Sequence, residues 1–171
     1  TGGPRGVGAA GSLAEVGFSQ SYTYFTWRHT KWELTEYGEE LAYAPAAGWF
    51  RPNLWPNTPD ILAGQLRDGS PDVFRERALL AATLAPSWGV YSGYEFCEND
   101  PVPDKEEYRF SEKYELKQRD HDAPTSLWPF LAQLNTIRRA HPAFARMDSL
   151  QFHHVDNDDV IAYSHCRTVD G

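Results

Sequence analysis

The chain has 171 residues, enough to bury a sizeable core, and a chain of this length usually forms one domain. It carries 24 acidic and 16 basic residues, and the formal net charge of -8 argues against a nucleic-acid-binding surface. No apolar run approaches the length of a membrane span and no signal-peptide pattern is seen, so a cytoplasmic protein without membrane contact is expected.

The first part of the chain predicts a flexible lead-in followed by alternating strands and helices. Residues 1–12 hold five of the thirteen glycines and show no apolar periodicity, which predicts flexible coil. Residues 18–26 and 49–55 are predicted strands. Between them, residues 33–43 predict a helix that Gly38 interrupts.

The next segment predicts a second helix and a third strand. Ser70 and Pro71 are a favourable N-cap and first-turn pair, and they precede an apolar helix over residues 73–85 that Pro86 ends. Residues 88–94 then predict a strand. Strands that alternate with helices through short connections indicate parallel βαβ units, so an α/β fold is expected.

The last part of the chain predicts one more helix and a hairpin. The helix starts at Thr125 or Ser126 and ends at His141. Its apolar face comprises Leu127, Phe130, Leu131, Leu134 and Ile137. Residues 150–155 and 160–165 are two alternating runs around a turn rich in aspartate, which is typical of a β-hairpin.

The stretch at residues 48–62 predicts a buried strand that stops at a rigid turn carrying one carboxylate, Asp60. This stretch contains three prolines, Pro52, Pro56 and Pro59. Because proline fixes φ and lacks an N–H donor, the carboxylate is presented on stiff backbone. Stiffness suits a catalytic group, whereas the alternative interpretation makes Asp60 the N-cap of a helix starting at Ile61.

Aromatic residues make up 14% of the chain, more than a small core needs. Two aromatic, alternating segments, residues 18–28 and 88–96, end where sugar sites usually begin. Flat aromatic faces stack against pyranose rings, although an ordinary aromatic core accounts for part of this content.

These two segments, together with NTPDIL at residues 57–62 and SEKYELK at residues 111–117, closely resemble the α-1,4-glucan:maltose-1-phosphate maltosyltransferases of the α-amylase clan. The resemblance is collinear over about residues 13–167. It implies that residues 13–147 are part of a (β/α)8 TIM barrel, strands six to eight, and that residues 148–171 open a C-terminal β-sandwich domain. The glycine-rich start does not match the family.

The resemblance also implies roles for individual residues. Asp60 matches the family's transition-state stabiliser, and Lys113 and Tyr114 match a position that contacts the maltose 1-phosphate donor. A lysine offers three donors and a positive charge, but without the family match a solvated charge cluster is the better interpretation of Lys113. Glu95 is expected to be structural or peripheral to the site.

As a whole, the resemblance implies retaining transfer of maltosyl from α-maltose 1-phosphate to the non-reducing end of an α-1,4-glucan, in glycogen or α-glucan biosynthesis. No cofactor is needed, and the full-length protein is expected to be a homodimer. The family's nucleophilic Asp and acid Glu lie upstream of the Phe18 segment, so the chain resembles a fragment that is inactive alone. An amylase-like hydrolase and a non-catalytic glucan-binding fragment are the alternatives.

The remaining reactive side chains predict no metal site. Cys97 and Cys166 lack metal-ligand spacing and are expected to be free thiols. His153 and His154 are adjacent on a predicted strand, so they point to opposite sides and cannot chelate one metal together.

Overall fold

The computed structural model of the chain contains a three-stranded parallel sheet and a separate antiparallel pair of strands. It describes residues 13–18, 20–43, 45–111 and 116–166. The parallel sheet has the order β1, β2, β3, with β1 at Ser21–Tyr22, β2 at Pro52–Leu54 and β3 at Ser87–Trp88. In register, Asn53 lies between Tyr22 on one side and Ser87 on the other. The predicted α/β class with parallel units is confirmed.

Four α-helices that lie wholly within the described residues connect and flank these strands. They are α1 at Lys31–Tyr43, α2 at Gly64–Arg67, α3 at Pro71–Leu84 and α4 at Trp128–Ala140. Helix α1 lies between β1 and β2 in the chain, and α2 and α3 lie between β2 and β3, as parallel pairing requires. Short 3-10 helices occupy Tyr24–Trp27, Pro45–Gly48, Tyr94–Phe96, Pro142–Ala145 and Met147–Ser149.

The strands are much shorter than the sequence pattern predicts. The strand expected over residues 18–26 gives way after Tyr22 to a 3-10 turn in which Phe25 is fully buried. The strand expected over residues 88–94 ends at Trp88, and the backbone reaches the left-handed region at Gly93, φ 100°. Beyond Tyr22 and Trp88, the aromatic residues at Tyr24–Trp27 and Tyr94–Phe96 lie in 3-10 turns and not in extended backbone.

Helix α1 runs without a break through Gly38, so the predicted interruption is wrong. A Cβ at this position would lie 2.5 Å from Cζ of Phe152, which belongs to the antiparallel pair. The glycine therefore gives the Phe152 ring room to pack against the helix, and the lost helix propensity of about 1 kcal/mol is offset by that contact.

The other two long helices agree with the predictions except at their ends. Helix α3 begins at Pro71, behind the N-cap Ser70, whose side chain makes no capping hydrogen bond. Helix α4 begins at Trp128, later than expected, because the Ser126 hydroxyl accepts the Trp128 N–H from a turn before the helix. On the predicted apolar face, Leu127, Leu131 and Leu134 are buried, whereas Ile137 is exposed.

Among the described residues, two apolar clusters form the core. One packs Leu54 of β2 against helices α1 and α3, and the other surrounds Tyr94 with residues from α2, α3 and α4. Trp88 of β3 packs against both clusters. Within the residues that the structure describes, no helix has the length and apolarity needed to cross a membrane.

The antiparallel pair consists of β4 at Leu150–His153 and β5 at Ala162–His165, which confirms the predicted hairpin strands. The connection between them is fastened to the start of α1, because Lys31 Nζ donates to the carbonyls of Val155 at 2.6 Å and Asn157 at 2.8 Å. At the other end, His165 Nε2 lies 2.6 Å from the Thr83 carbonyl in α3. The hairpin is thus attached to both long helices of the parallel unit.

Candidate functional site

Asp60 lies in an exposed tight turn beyond the carboxyl end of β2. The N–H groups of Thr58 and Ile61 each donate to the carbonyl of the other at 3.1 Å, with Pro59 and Asp60 between them. A proline at the first central position is typical of such turns. No helix starts at Ile61: helix α2 begins at Gly64 with Ala63 as its N-cap, so the interpretation of Asp60 as a helix cap is wrong.

The loop after β3 holds the Asp60 turn from both sides. The Tyr108 N–H donates to the Pro59 carbonyl at 3.4 Å, and the Leu62 N–H donates to the Glu106 carbonyl at 2.5 Å. Backbone hydrogen bonds to residues 106 and 108 thus fix the chain on both sides of Asp60. The stiffness expected from the prolines is reinforced by tertiary contacts that the local sequence does not reveal.

Asn57 connects the end of β2 to the loops after β3. It is fully buried; its Nδ2 donates to the Tyr108 hydroxyl at 2.7 Å, and its Oδ1 accepts the Tyr91 N–H at 2.9 Å. Burial raises the pKa of Tyr108 well above its ordinary value, so the phenol stays neutral and remains an acceptor for Asn57. The sequence patterns did not predict that Asn57 connects these loops. The available signal was its position between Pro56 and Pro59, directly after a buried strand.

One face of the parallel sheet carries a row of polar side chains. Asn53 of β2 donates to the Gln20 side chain at 3.4 Å and accepts from the Ser87 hydroxyl at 3.1 Å. Side chains alternate along a strand, and the next residue, Leu54, lies in the core against the helices. The sheet thus has one apolar face on helices and one polar face directed away from them.

The polar face becomes aromatic toward the carboxyl ends of the strands. Trp55 follows Asn53 by two residues; its ring centroid lies 5.6 Å from that of Tyr22, and the ring lies against Gly89. A Cβ at residue 89 would come within 2.6 Å of the Trp55 ring, so a side chain there would displace it. Tyr22 is 66% exposed within the described residues.

A buried arginine fixes the turn after β1. The Arg77 guanidinium, in α3, donates to the carbonyls of Phe25 and Arg28, both at 2.8 Å, and lies 4.1 Å from the centroid of the Phe25 ring. Burial lowers the pKa of Arg77 to about 10, so the group stays charged at neutral pH. This contact holds the 3-10 turn that carries Tyr24 and Trp27.

A charged network organises the loop after β3. The Glu98 carboxylate accepts from Lys117 Nζ at 2.8 Å and from Arg119 Nε at 2.7 Å, and Arg119 also donates to the Ser92 hydroxyl at 3.1 Å. Burial alone would raise the pKa of Glu98, but the hydrogen bonds from Arg119 and Lys117 hold it below its ordinary value. Lys117 and Arg119 are thus both paired with the Glu98 carboxylate.

Beside this network lies a cavity of about 250 Å³. It is lined by Glu98, Asn99, Asp100, Tyr108, Phe110 and Lys117. Lys113 and Tyr114, the predicted donor-binding residues, lie outside the described residues. A larger cavity of about 1110 Å³ lies between the start of α1 and the turn between β4 and β5, and Asp60 is not among its lining residues.

Glu95 has a structural position. Its side chain is buried and accepts the Gly93 N–H at 3.0 Å, while its carbonyl accepts the Leu127 N–H ahead of α4 at 2.7 Å. Both cysteines are free thiols. In the described ranges no three His, Cys, Asp or Glu side chains are placed to hold a metal ion.

The comparisons with known proteins give a consistent set of relatives, although no protein-family model matches the chain. The alpha-1,4-glucan:maltose-1-phosphate maltosyltransferase 2 of Streptomyces coelicolor is 57% identical over 158 residues, which are 90% of this chain and 24% of that protein. The maltosyltransferase of Mycolicibacterium smegmatis is 56% identical over 93% of this chain and 23% of its own length. That of Myxococcus xanthus is 52% identical over 94% of this chain and 24% of its own length.

The chain therefore spans about a quarter of the length of the curated relatives it matches. The resemblance that the sequence motifs indicate is confirmed over nine tenths of the chain.

Proposed function

We propose that this chain is part of an α-1,4-glucan:maltose-1-phosphate maltosyltransferase, which moves maltosyl from α-maltose 1-phosphate to the non-reducing end of an α-1,4-glucan with retention, in α-glucan biosynthesis. The observation that carries the proposal is the identity of 52–57% to proteins of that name over at least 90% of this chain. The resemblance further suggests that the whole protein acts in the cytoplasm as a homodimer.

Under this proposal the three parallel strands are strands six to eight of a (β/α)8 barrel within residues 13–147. The two-faced sheet supports it, since Leu54 packs on helices while Asn53 and Trp55 line the other face, which would be the barrel interior. The carboxyl ends of the strands, where Asp60 lies, form the active-site face of such barrels. Strands β4 and β5 would begin a β-sandwich domain within residues 148–171.

Retaining glycosyl transfer uses a nucleophilic carboxylate and a general acid about 5 to 5.5 Å apart, with an oxocarbenium-like transition state between them. We place both groups in the part of the enzyme that precedes this chain. Asp60 would be the third carboxylate, accepting hydrogen bonds from sugar hydroxyls that strengthen as the ring distorts. Its exposed turn, held by Glu106 and Tyr108, supports this role because preorganised charges need no rearrangement during reaction.

Lys113 and Tyr114 would contact the maltose 1-phosphate donor, the lysine through its charge and the tyrosine through its ring. Their flanks support this placement. Ser111 on one side is buried, and Lys117 on the other pairs with Glu98 beside the smaller cavity.

The proposal is tested in a chimera in which residues 13–166 replace the matching segment of the Streptomyces coelicolor relative. The chimera should release phosphate from α-maltose 1-phosphate and lengthen a maltooligosaccharide by two glucose units. Asp60→Asn should keep the melting temperature and lower kcat about 100-fold or more, since a charged contact to the transition state is lost. Asp68→Asn, at an exposed position after α2, is the matched control.

Near-normal turnover of the Asp60→Asn chimera would show that this carboxylate is not catalytic. A chimera that cleaves maltooligosaccharides with water and ignores the phosphate donor would instead be an amylase-like hydrolase.

A further inference from the structure

Arg67, the last residue of the short helix α2, bridges two separate segments of the backbone near Asp60. Its Nε donates to the Leu62 carbonyl at 3.3 Å, and a second nitrogen of the same guanidinium donates to the Lys105 carbonyl. The main-chain carbonyl of Arg67 accepts Asn99 Nδ2 at 3.0 Å. One residue is therefore hydrogen-bonded both to the segment that follows Asp60 and, at two points, to the loop after β3.

This bridge lies beside the backbone hydrogen bond between Leu62 and Glu106. The Leu62 N–H donates to the Glu106 carbonyl at 2.5 Å, while the Leu62 carbonyl accepts Arg67 Nε. Lys105, the other acceptor of the guanidinium, directly precedes Glu106 in the chain. The Arg67 guanidinium thus spans the junction where the Asp60 turn meets the loop after β3.

The contacts of Arg67 differ from those of an arginine that only stabilises its own helix. A basic side chain in the last turn usually donates to the last carbonyls of its helix. Helix α2 begins at Gly64, so Leu62 lies before the helix, and Lys105 lies in another segment. The helix is held to the core by Leu62 and Leu66, whose side chains are buried in one apolar cluster. The guanidinium therefore fixes one loop against another.

We propose that Arg67 is a positioning residue for the transfer reaction, because its guanidinium fixes the Asp60 turn against the loop after β3. The planar guanidinium holds its donors in a rigid fork, and hydrogen bonds from a charged donor are stronger than neutral ones. A displacement of about 1 Å in a reacting group can slow an enzyme about 100-fold, so the residue that fixes the turn affects kcat. This inference rests on the proposed function, in which Asp60 is the carboxylate that stabilises the transition state.

The test is a double-mutant cycle in the chimera. Arg67→Ala should lower kcat about tenfold and leave the KM for donor and acceptor within about twofold of the parent. The melting temperature should stay within about 2 °C, since Leu62 and Leu66 still anchor the helix. In the Asp60→Asn background, Arg67→Ala should lower kcat less than about twofold, because Arg67 acts through the carboxylate that is already lost. Equal losses of kcat in the two backgrounds would overturn the inference.

Arg75→Ala is the matched control. This arginine is exposed on the neighbouring helix α3 and pairs with Asp72 of the same helix at 2.7 Å. Its removal should leave kcat and both KM values unchanged.

Hydrogen exchange gives a readout that needs no turnover. The N–H groups of Thr58, Ile61 and Leu62 are hydrogen-bonded at the Asp60 turn, so Arg67→Ala should speed their exchange about tenfold and leave that of β4 and β5 unchanged. Unchanged exchange at the turn would overturn the inference. A parent chimera without transferase activity contradicts the proposed function, while the positioning of the turn still stands or falls by this exchange.

Discussion

Asn57 shows how one buried amide secures the candidate site. Its Nδ2 donates to the Tyr108 hydroxyl and its Oδ1 accepts the Tyr91 N–H, and both tyrosines belong to the segment after β3. Tyr108 in turn donates its N–H to Pro59, next to Asp60. The position of the Asp60 carboxylate therefore depends on a fully buried residue outside the Asp60 turn itself.

Replacing Asn57 with Ala should destabilise the chimera and lower its kcat together. The change leaves two buried polar groups unpaired, at a cost of about 1–3 kcal/mol each. The free energy of unfolding, measured by urea titration, should fall by about 2–4 kcal/mol.

Asn135→Ala removes an exposed amide that accepts the Trp88 indole N–H, and serves as control with an expected loss below about 1 kcal/mol. If Asn57→Ala costs no more than this control, the amide is not the anchor that the geometry indicates.

At the scale of elements, the sequence predicts the long helices and the hairpin strands well, whereas it predicts parallel strands that are too long. The pair Ser70 and Pro71 marks the start of α3, because proline is favoured in the first helical turn whatever the tertiary surroundings. The aromatic alternation of residues 18–26 fits a strand, but it also fits the observed 3-10 turn, in which Phe25 is buried. The pattern alone therefore does not distinguish a strand from a turn. The interruption predicted at Gly38 is wrong because this glycine makes room for the Phe152 ring, a contact far along the chain that local sequence does not show.

The attachment of the hairpin to α3 depends on a neutral histidine. His165 Nε2 lies 2.6 Å from the Thr83 carbonyl and Nδ1 lies 2.6 Å from the Ser149 hydroxyl. Burial lowers the pKa of His165, and the nearby Arg138 lowers it further, while the hydrogen bond to Thr83 opposes them. Protonation of His165 is thus less favourable in the folded chain than in the unfolded chain, whose imidazole has a pKa of about 6.5.

Stability contributed by neutral His165 should be present above about pH 6.5 and be lost as the pH falls through its lower folded pKa. The melting temperature of the chimera should fall between pH 7.5 and pH 5, and His165→Gln should reduce this dependence while keeping a donor for Thr83. His154→Gln, at an exposed position beyond β4, is the control. An unchanged pH dependence in His165→Gln would contradict the assignment.

At the scale of the molecule, the sequence was sufficient for the family resemblance and for the place of Asp60 after a buried strand. It did not reveal Glu106 or Glu98, because their roles arise from contacts with Trp27, Leu62 and Arg119 that are distant in sequence. Local motifs locate a catalytic candidate, whereas the groups that orient it are set by tertiary packing.

The sheet itself predicts how residues 13–166 behave alone. Among the described strands, β1 and β3 are the edges of the parallel sheet, and Tyr22, on its polar and aromatic face, is 66% exposed. Unpaired edges and exposed rings promote association, so the isolated segment should aggregate or bind the dye ANS, and co-expression with the preceding part of the Streptomyces coelicolor relative should suppress both.

Because the proposed nucleophile and acid precede the chain, purified residues 13–166 incubated with α-maltose 1-phosphate and maltoheptaose should release no phosphate above the protein-free control. A soluble monomer that releases phosphate in a manner abolished by Asp60→Asn would contradict the barrel proposal. It would also place the proposed nucleophile and acid within this segment, where Glu106, whose carbonyl holds the Asp60 turn, would be the first carboxylate to replace.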